Sequence, residues 1–458
     1  MGAKKKQFWN FIDSLEGDKV VWIIALLLML FSILCMFSST SRLLENNQSR
    51  LDIVKSQIIL VGMGIVLLII CYNIKNIALI RWCSKWGFLI SFVLLAVLLS
   101  RISTPFLKSI EINGARRIIQ VAGFQVHVFE VVKVAMVMYL AWAMDARAKG
   151  SLKLFKDKNM LQKIFYIYGP ALLTTIMIVP GSNSSALFIG AMMFITILLG
   201  GGEIKDLAVF ALACVLTLGL CVAIYNISDG KVMGRIGTGI SRIFESEDWE
   251  ARVIESRVGS HEYSEALDKI RQPYSAKIAI NEGKIFGKGP GQSTQRYVVP
   301  DISEDFMFSF IIEEYGLIGG IFIILLYMSL LARSSLIVRN CGKNDQFGKI
   351  AVAGLTLLIV FQAFMHIFVN TDIGPMTGQT LPLVSHGSSA FLCFSLAFGI
   401  ILSISRIAAK RMEREQRNAE PLVELHEVEQ AHEEGLGDLE AFENGENLND
   451  IIDDDYGL

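Results

Sequence analysis

The chain has 458 residues, 53% of them hydrophobic and only 19% charged, with a mean hydropathy of +0.49. A soluble protein of this length carries more charge, and several apolar runs here lack any polar face, which excludes a soluble helical enzyme. The formal net charge of −2 conceals an asymmetry. Fourteen of the 44 acidic residues follow Arg417, where no Lys or Arg occurs, so the remainder sets 42 basic residues against 30 acidic ones.

A helix needs about 20 mainly apolar residues to cross the hydrocarbon core. Ten segments meet or approach this: 20–38, 55–72, 83–101, 128–144, 164–180, 183–200, 205–225, 307–332, 347–370 and 388–405. The expected fold class is therefore an all-α polytopic membrane protein with about ten transmembrane helices. The first run is read as a retained helix, because Met36-Phe37-Ser38-Ser39 offers no small-x-small cleavage site. Residues 1–19 form an N-terminal segment, 20–405 a membrane domain and 406–458 an acidic tail. The tail is polar and poor in aromatics, which predicts disorder, with weak helical periodicity at Leu422, Leu425 and Val428.

Basic residues fix an expected orientation. Lys4, Lys5 and Lys6 precede the first span. Arg147, Lys149, Lys153, Lys156, Lys158 and Lys163 lie in loop 145–163. Arg333, Arg339 and Lys343 follow span eight, and Arg406, Lys410, Arg411, Arg414 and Arg417 follow span ten. An even number of spans puts all of these, and both termini, on the cytoplasmic side. The seven Cys imply no disulfide framework and show no metal-ligand spacing.

Two segments on the opposite, outer face are longer than connection requires. The first, 102–127, holds Lys108, Arg116 and Arg117, which suit either an anionic ligand or lipid headgroups. Just after it, Glu130 and Lys133 are spaced i,i+3 within a span, where a charge is costly. They either neutralise each other or present Lys133 to an anionic headgroup.

The second segment, 226–306, lies between spans seven and eight. It has a helix-compatible stretch, Glu245 to Arg271, and then Gly287-Lys288-Gly289-Pro290-Gly291-Gln292-Ser293. Alternating glycines permit turns with positive φ and close approach of the backbone to another group. Asp305 falls at the mouth of span eight, with Glu313 and Glu314 two turns further in. Position alone leaves Asp305 as a helix cap or as a base where a water-filled cleft meets lipid.

The ordered motifs resemble the SEDS family (shape, elongation, division and sporulation) of bacterial peptidoglycan glycosyltransferases. Gly114-Ala115-Arg116-Arg117 is similar to G-A-x-R-W, and Glu130 and Lys133 match the charged residues of Q-P-S-E-x-x-K. Gln272 to Gly283 resembles the loop before the family's glycine motif. Gly287, Gly289, Gly291 and Ser293 match G-x-G-x-G-x-S, and Pro300 to Gly316 resembles L-P-E-x-x-x-D-F-I-F with E-E-x-G. Gly378 to Ser389 resembles G-x-T-L-P-x-I-S-Y-G-G-S-S, with His386 and Ser388 replacing Tyr and Gly. Pro180-Gly181-Ser182-Asn183 lacks the acid of P-D-L-G-T-A. Gly291 with Ser293, and Thr380-Leu381-Pro382, favour the FtsW-like branch over the RodA-like one.

The resemblance implies a SEDS fold and polymerisation of lipid II at the septum of the inner membrane, with Asp305 as catalytic base. It implies Arg117, Lys133, Gln272, Ser293 and Ser385 as substrate-binding residues, and Glu130, Glu314, Gly287, Gly289 and Gly291 in support. A divalent cation, Mg or Mn, would assist the diphosphate, though no ligand cluster is evident. Expected partners are a class B penicillin-binding transpeptidase, other divisome proteins and membrane lipids, and no nucleic acid. The alternatives are a RodA-like elongation polymerase and a lipid II flippase. Against the flippase, the polar residues concentrate on one face and no internal repeat is found.

Overall fold

The computed structural model describes residues 16–39, 50–100, 104, 107–112, 115–121, 124–227, 253–255, 258, 261–299, 302–342, 344–374 and 377–443. Its helices are α1 (Lys19–Ser39), α2 (Arg50–Tyr72), α3 (Ile77–Ser84), α4 (Gly87–Leu99), α5 (Val128–Ala148) and α6 (Asn159–Lys163). They continue with α7 (Gly169–Ile178), α8 (Asn183–Leu199), α9 (Ile204–Ile227), α10 (His261–Gly283), α11 (Met307–Asn340), α12 (Gln346–Asn370) and α13 (Ser388–Glu443). Each of the ten expected spans corresponds to a helix or a short pair of them, and α3 with α4 forms one continuous crossing of Ile77–Leu99. Among the described residues seven such segments are long and apolar enough to cross a membrane. Val128–Ala148, Asn183–Leu199 and Ile204–Ile227 occupy the other three expected positions. Exposed Leu30, Ile59, Ile70, Leu187 and Leu325 are what a lipid-facing surface requires.

Segment 102–127 builds an antiparallel sheet, which composition did not predict. Strand β1 (Leu107–Ile112) pairs with β2 (Ala115–Val121), which pairs with β3 (Phe124–His127). Ile118 and Ile119 are buried while Phe124 at the hairpin end is exposed. The sheet leads directly into α5, whose start is tied down by Ser389 Oγ accepting from His127 N at 3.0 Å.

The tail differs from expectation, because α13 remains helical through Glu443. Residues 1–407 and 408–458 form separate compact units. The predicted stretch 245–252, the motif residue Gly114 and the pair Pro300-Asp301 lie outside the described residues.

The largest departure is in α11. Gly316 has φ 70° and ψ −175°, which breaks the helix. A Cβ on Gly320 would lie 3.4 Å from Cζ of Phe308. Twelve residues of straight helix span about 18 Å, so the two halves must fold back on each other. Such a break orphans backbone groups that lipid cannot satisfy. The segment after α10 supplies them. Lys288 N and Gly289 N donate to the carbonyls of Glu313 and Glu314, and Leu317 N and Ile318 N donate to those of Lys284 and Ile285. The approach is so close that a Cβ on Gly316 would sit 2.1 Å from Ile285 O, and one on Gly287 2.2 Å from Glu314 O.

Candidate active site

The glycine segment is held from its side chains as well as its backbone. Glu313 Oε1 accepts from Thr294 N at 2.8 Å and Lys288 Nζ at 2.9 Å, and its Oε2 from Ser293 Oγ at 2.5 Å. Glu314 Oε1 accepts from Ser38 Oγ at 2.5 Å and Gly291 N at 3.0 Å. Lys288 also pairs with Glu282. Burial disfavours its ammonium, but the bonds to Glu282 and Glu313 outweigh that and hold its pKa above the ordinary 10.5. Gly287, Gly289 and Gly291 all take positive φ, at 78°, 99° and 79°. This cluster splices the broken helix. Ser293, expected to position substrate, is buried and its hydroxyl is committed to Glu313, so the geometry makes it an anchor.

Asp305 is not at the mouth of a spanning helix, as the apolar run suggested. It lies at the base of the short first half of α11, before the fold-back at Gly316. Its neighbours give its depth. Ser385 Oγ donates to Glu304 O and His386 N to Ser303 O, both at 2.8 Å. From the same loop, Val384 O accepts from Ser32 Oγ and His386 Nδ1 meets Gln57 Oε1, both at 2.9 Å. Ser32 and Gln57 each stand seven residues, about 10 Å, inward from Ser39 and Arg50 at the sheet-bearing ends of α1 and α2. Asp305 therefore sits in a recess. Its Oδ2 lies 3.4 Å from where a Cβ on Gly378 would be, so the carboxylate faces the backbone of the 377–387 loop.

That loop is the hub of the site. Gln379 O meets His366 Nδ1 at 2.7 Å, Thr380 O accepts from Gln362 Nε2 at 3.0 Å and Pro382 O from Tyr327 OH at 2.6 Å. Ser385, another expected substrate contact, is 3% exposed. Its hydroxyl donates to Glu304 O and accepts from Leu381 N, so it braces the loop against the Asp305 segment.

Lys133 is 2% exposed. Its ammonium meets Glu130 Oε1 at 2.6 Å, Gln362 Oε1 at 2.8 Å and Gln379 Oε1 at 2.8 Å. An ammonium has three hydrogens, so this arrangement leaves none for a headgroup. Lys133, expected at the diphosphate, is in this arrangement an internal tie, and Glu130 is its counter-ion. Arg117 is half-buried on β2, with Nε donating to Gly181 O at 3.4 Å. Ser184, in the 180–185 corner that lacks the acid, donates to Thr377 O at 3.3 Å. The sheet, the 180–185 corner and the hub loop thus form one connected wall. Gln272 is half-buried on α10, whose packing is against α11.

Three residues escaped the reading of the sequence: Gln362, His366 and Asn370, all at most 1% exposed. Their i, i+4, i+8 spacing inside an apolar span was the available signal. Among the described residues no three His, Cys, Asp or Glu side chains come together to hold a metal ion.

The sequence profile of the cell cycle protein family FTSW_RODA_SPOVE matches residues 18–410. Stage V sporulation protein E of Bacillus subtilis is 26% identical over 392 residues, covering 85% of this chain and 97% of that protein. The probable peptidoglycan glycosyltransferase FtsW of Caulobacter vibrioides is 28% identical over 319 residues, covering 69% of this chain and 71% of its own. In structure, a peptidoglycan synthase complex that coordinates polymerization and crosslinking superposes with a TM-score of 0.57 at 19% identity, covering 86% of this chain and 98% of its own. Rod shape determining protein RodA of Thermus thermophilus gives 0.53 at 18%, with the same coverages.

Proposed function

Because the chain belongs to the cell cycle protein family of FtsW, RodA and SpoVE, we propose that it is a peptidoglycan glycosyltransferase that polymerises lipid II, with Asp305 as general base. The observation that carries this reading is the placement of Asp305. Its carboxylate is held in a recess about 10 Å inside the helix ends, against the backbone at Gly378, where a sugar headgroup can enter while its polyprenyl tail stays in lipid. The base takes the proton from the acceptor 4-hydroxyl. That oxygen forms a bond to C1 of the donor sugar, and the C1–O bond to the diphosphate breaks with its electron pair leaving on phosphate. One displacement inverts the donor linkage. The diphosphate is already a good leaving group, so it needs a cation more than a second acid. Arg117 is proposed for that contact, with Gln272 lining the approach from α10.

We assign the sheet-bearing end to the outer face of the bacterial inner membrane, and the strand synthesis to the division septum. Gly291 with Ser293 and Thr380-Leu381-Pro382 support the septal assignment. The proposed partner is a single-pass class B transpeptidase, since no active-site serine motif for crosslinking occurs in this chain. The structural relative named for coordinated polymerization and crosslinking supports that pairing.

The test is polymerisation of lipid II by the purified chain together with its transpeptidase. Asp305→Asn, folded as judged by its melting curve, is expected to lose at least about 100-fold in rate, the usual contribution of a positioned base. Polymerisation at the wild-type rate by this variant overturns the assignment of Asp305.

A further inference from the structure

We infer that Asn370 and His366 are positioning residues for Asp305, acting as a helix cap supplied from a neighbouring helix. The start of α11 has no side-chain cap of its own, because the cap position is occupied by Phe306. The next free backbone donors are nevertheless satisfied. Phe308 N donates to His366 Nε2 at 3.2 Å, and Ser309 N to Asn370 Oδ1 at 2.9 Å. Asn370 Nδ2 closes the arrangement by donating to the backbone carbonyl of Asp305 itself, at 3.0 Å, and to His366 O at 2.8 Å. His366 and Asn370 stand one turn apart on α12 and are 1% and 0% exposed. His366 Nδ1 faces Gln379 O at 2.7 Å, which makes Nδ1 the donor and Nε2 the acceptor that Phe308 needs.

The chemical consequence concerns the Asp305 carboxylate. An acidic side chain beside an uncapped helix start takes the free N–H groups itself. A carboxylate that accepts two or three backbone N–H bonds is strongly stabilised as the anion and becomes a far weaker base. With His366 and Asn370 filling those sites, Asp305 is fixed through its main chain, and the N–H groups of Phe308 and Ser309 are not left to its carboxylate. The same face of α12 carries Gln362, which holds Lys133, so α12 joins the buried cation and the base through one rigid ladder.

This inference rests on the proposed role of Asp305, and Asp305→Asn serves as the control that tests that role separately. The measurement is kcat and KM for lipid II polymerisation against pH, comparing wild type with Asn370→Ala. The expected result is a kcat lowered at least about tenfold, a KM within about twofold, and an acidic limb moved to lower pH by at least about half a unit, as recruitment of Asp305 to the helix start requires. Wild-type kcat in Asn370→Ala, or a loss of rate with an unmoved acidic limb, overturns the positioning role even when Asp305→Asn is inactive. A second measurement needs no variant. Amide hydrogen exchange in the wild-type protein is expected to show Phe308 and Ser309 protected, although second and third residues of a helix ordinarily exchange freely. Rapid exchange at both overturns the inference.

Discussion

The Lys133 ammonium and its three acceptors form a closed unit, and its energetics follow from a buried cation beside a mostly buried carboxylate. Removing the cation strands Glu130, whose Oε2 already lacks a hydrogen-bond partner among the described residues. Lys133→Met is expected to destabilise the protein by about 3–5 kcal/mol, the cost of leaving one charge of a buried pair uncompensated. Glu130→Gln combined with Lys133→Met should recover part of that loss, since the charge itself is then gone. Thermal unfolding of the purified single and double variants checks both statements, and a double variant no more stable than Lys133→Met refutes the pairing. The sequence showed that these two residues share a face, because i,i+3 spacing guarantees it. It could not show that Gln362 and Gln379, more than two hundred residues away, complete the ammonium's shell. Hydrogen-bond saturation is a property of the packed fold, so an exposed-looking candidate for substrate contact became an internal tie. Ser293 and Ser385 changed meaning for the same reason. A hydroxyl advertises chemistry in a sequence, but only burial reveals that its capacity is spent on Glu313 or on the Glu304 carbonyl.

At the scale of elements, the apolar run from Phe306 onward reads as one long helix, and hydropathy has no term for a fold-back. The signal was present in Gly316 and in the alternating glycines before it, yet each was legible only as permission for an unusual backbone. What fixes the break is the mutual satisfaction of four backbone groups across it, from Lys284, Ile285, Lys288 and Gly289. Gly316→Ala puts a Cβ 2.1 Å from Ile285 O. It also forces an L-residue into a region of φ and ψ that glycine almost alone adopts, which costs about 1–3 kcal/mol before any clash is counted. The variant is expected to accumulate poorly and to elute as aggregate on size exclusion. A Gly316→Ala protein that accumulates and melts like wild type would refute the necessity of the fold-back. The sheet β1–β3 was missed for a different reason. Its strands are short and interrupted by polar and charged residues, and their pairing depends on the hairpin partner more than on their own pattern.

For the whole molecule, the positions of the ten apolar runs followed from hydropathy because the requirement for internal hydrogen bonding in lipid leaves few alternatives. The charge asymmetry between the two ends is partly structural. Asp145, fully buried, pairs with Arg81 at 2.7 Å and Lys149 at 2.9 Å; Arg333 pairs with Asp18 at 2.8 Å, and Lys163 with Asp206 at 2.5 Å. Some of the basic residues counted for orientation are therefore committed to packing, while Lys153, Lys156 and Lys158 remain exposed and carry the bias. A cysteine placed at Phe124 is expected to react with an impermeant maleimide in intact cells, and one at Lys153 only after the membrane is opened. The reverse pattern would invert the assignment of faces. Beneath Asp305 the hub loop is bonded to α1, α2, α11 and α12 through Ser32, Gln57, Tyr327 and Gln362. The recess thus has a hydrogen-bonded floor between the carboxylate and the opposite end of the bundle. With Asp305 as the proposed base, a lengthened sugar strand would leave on the same side of that floor from which its next unit arrives, so growth and delivery would contend for one approach.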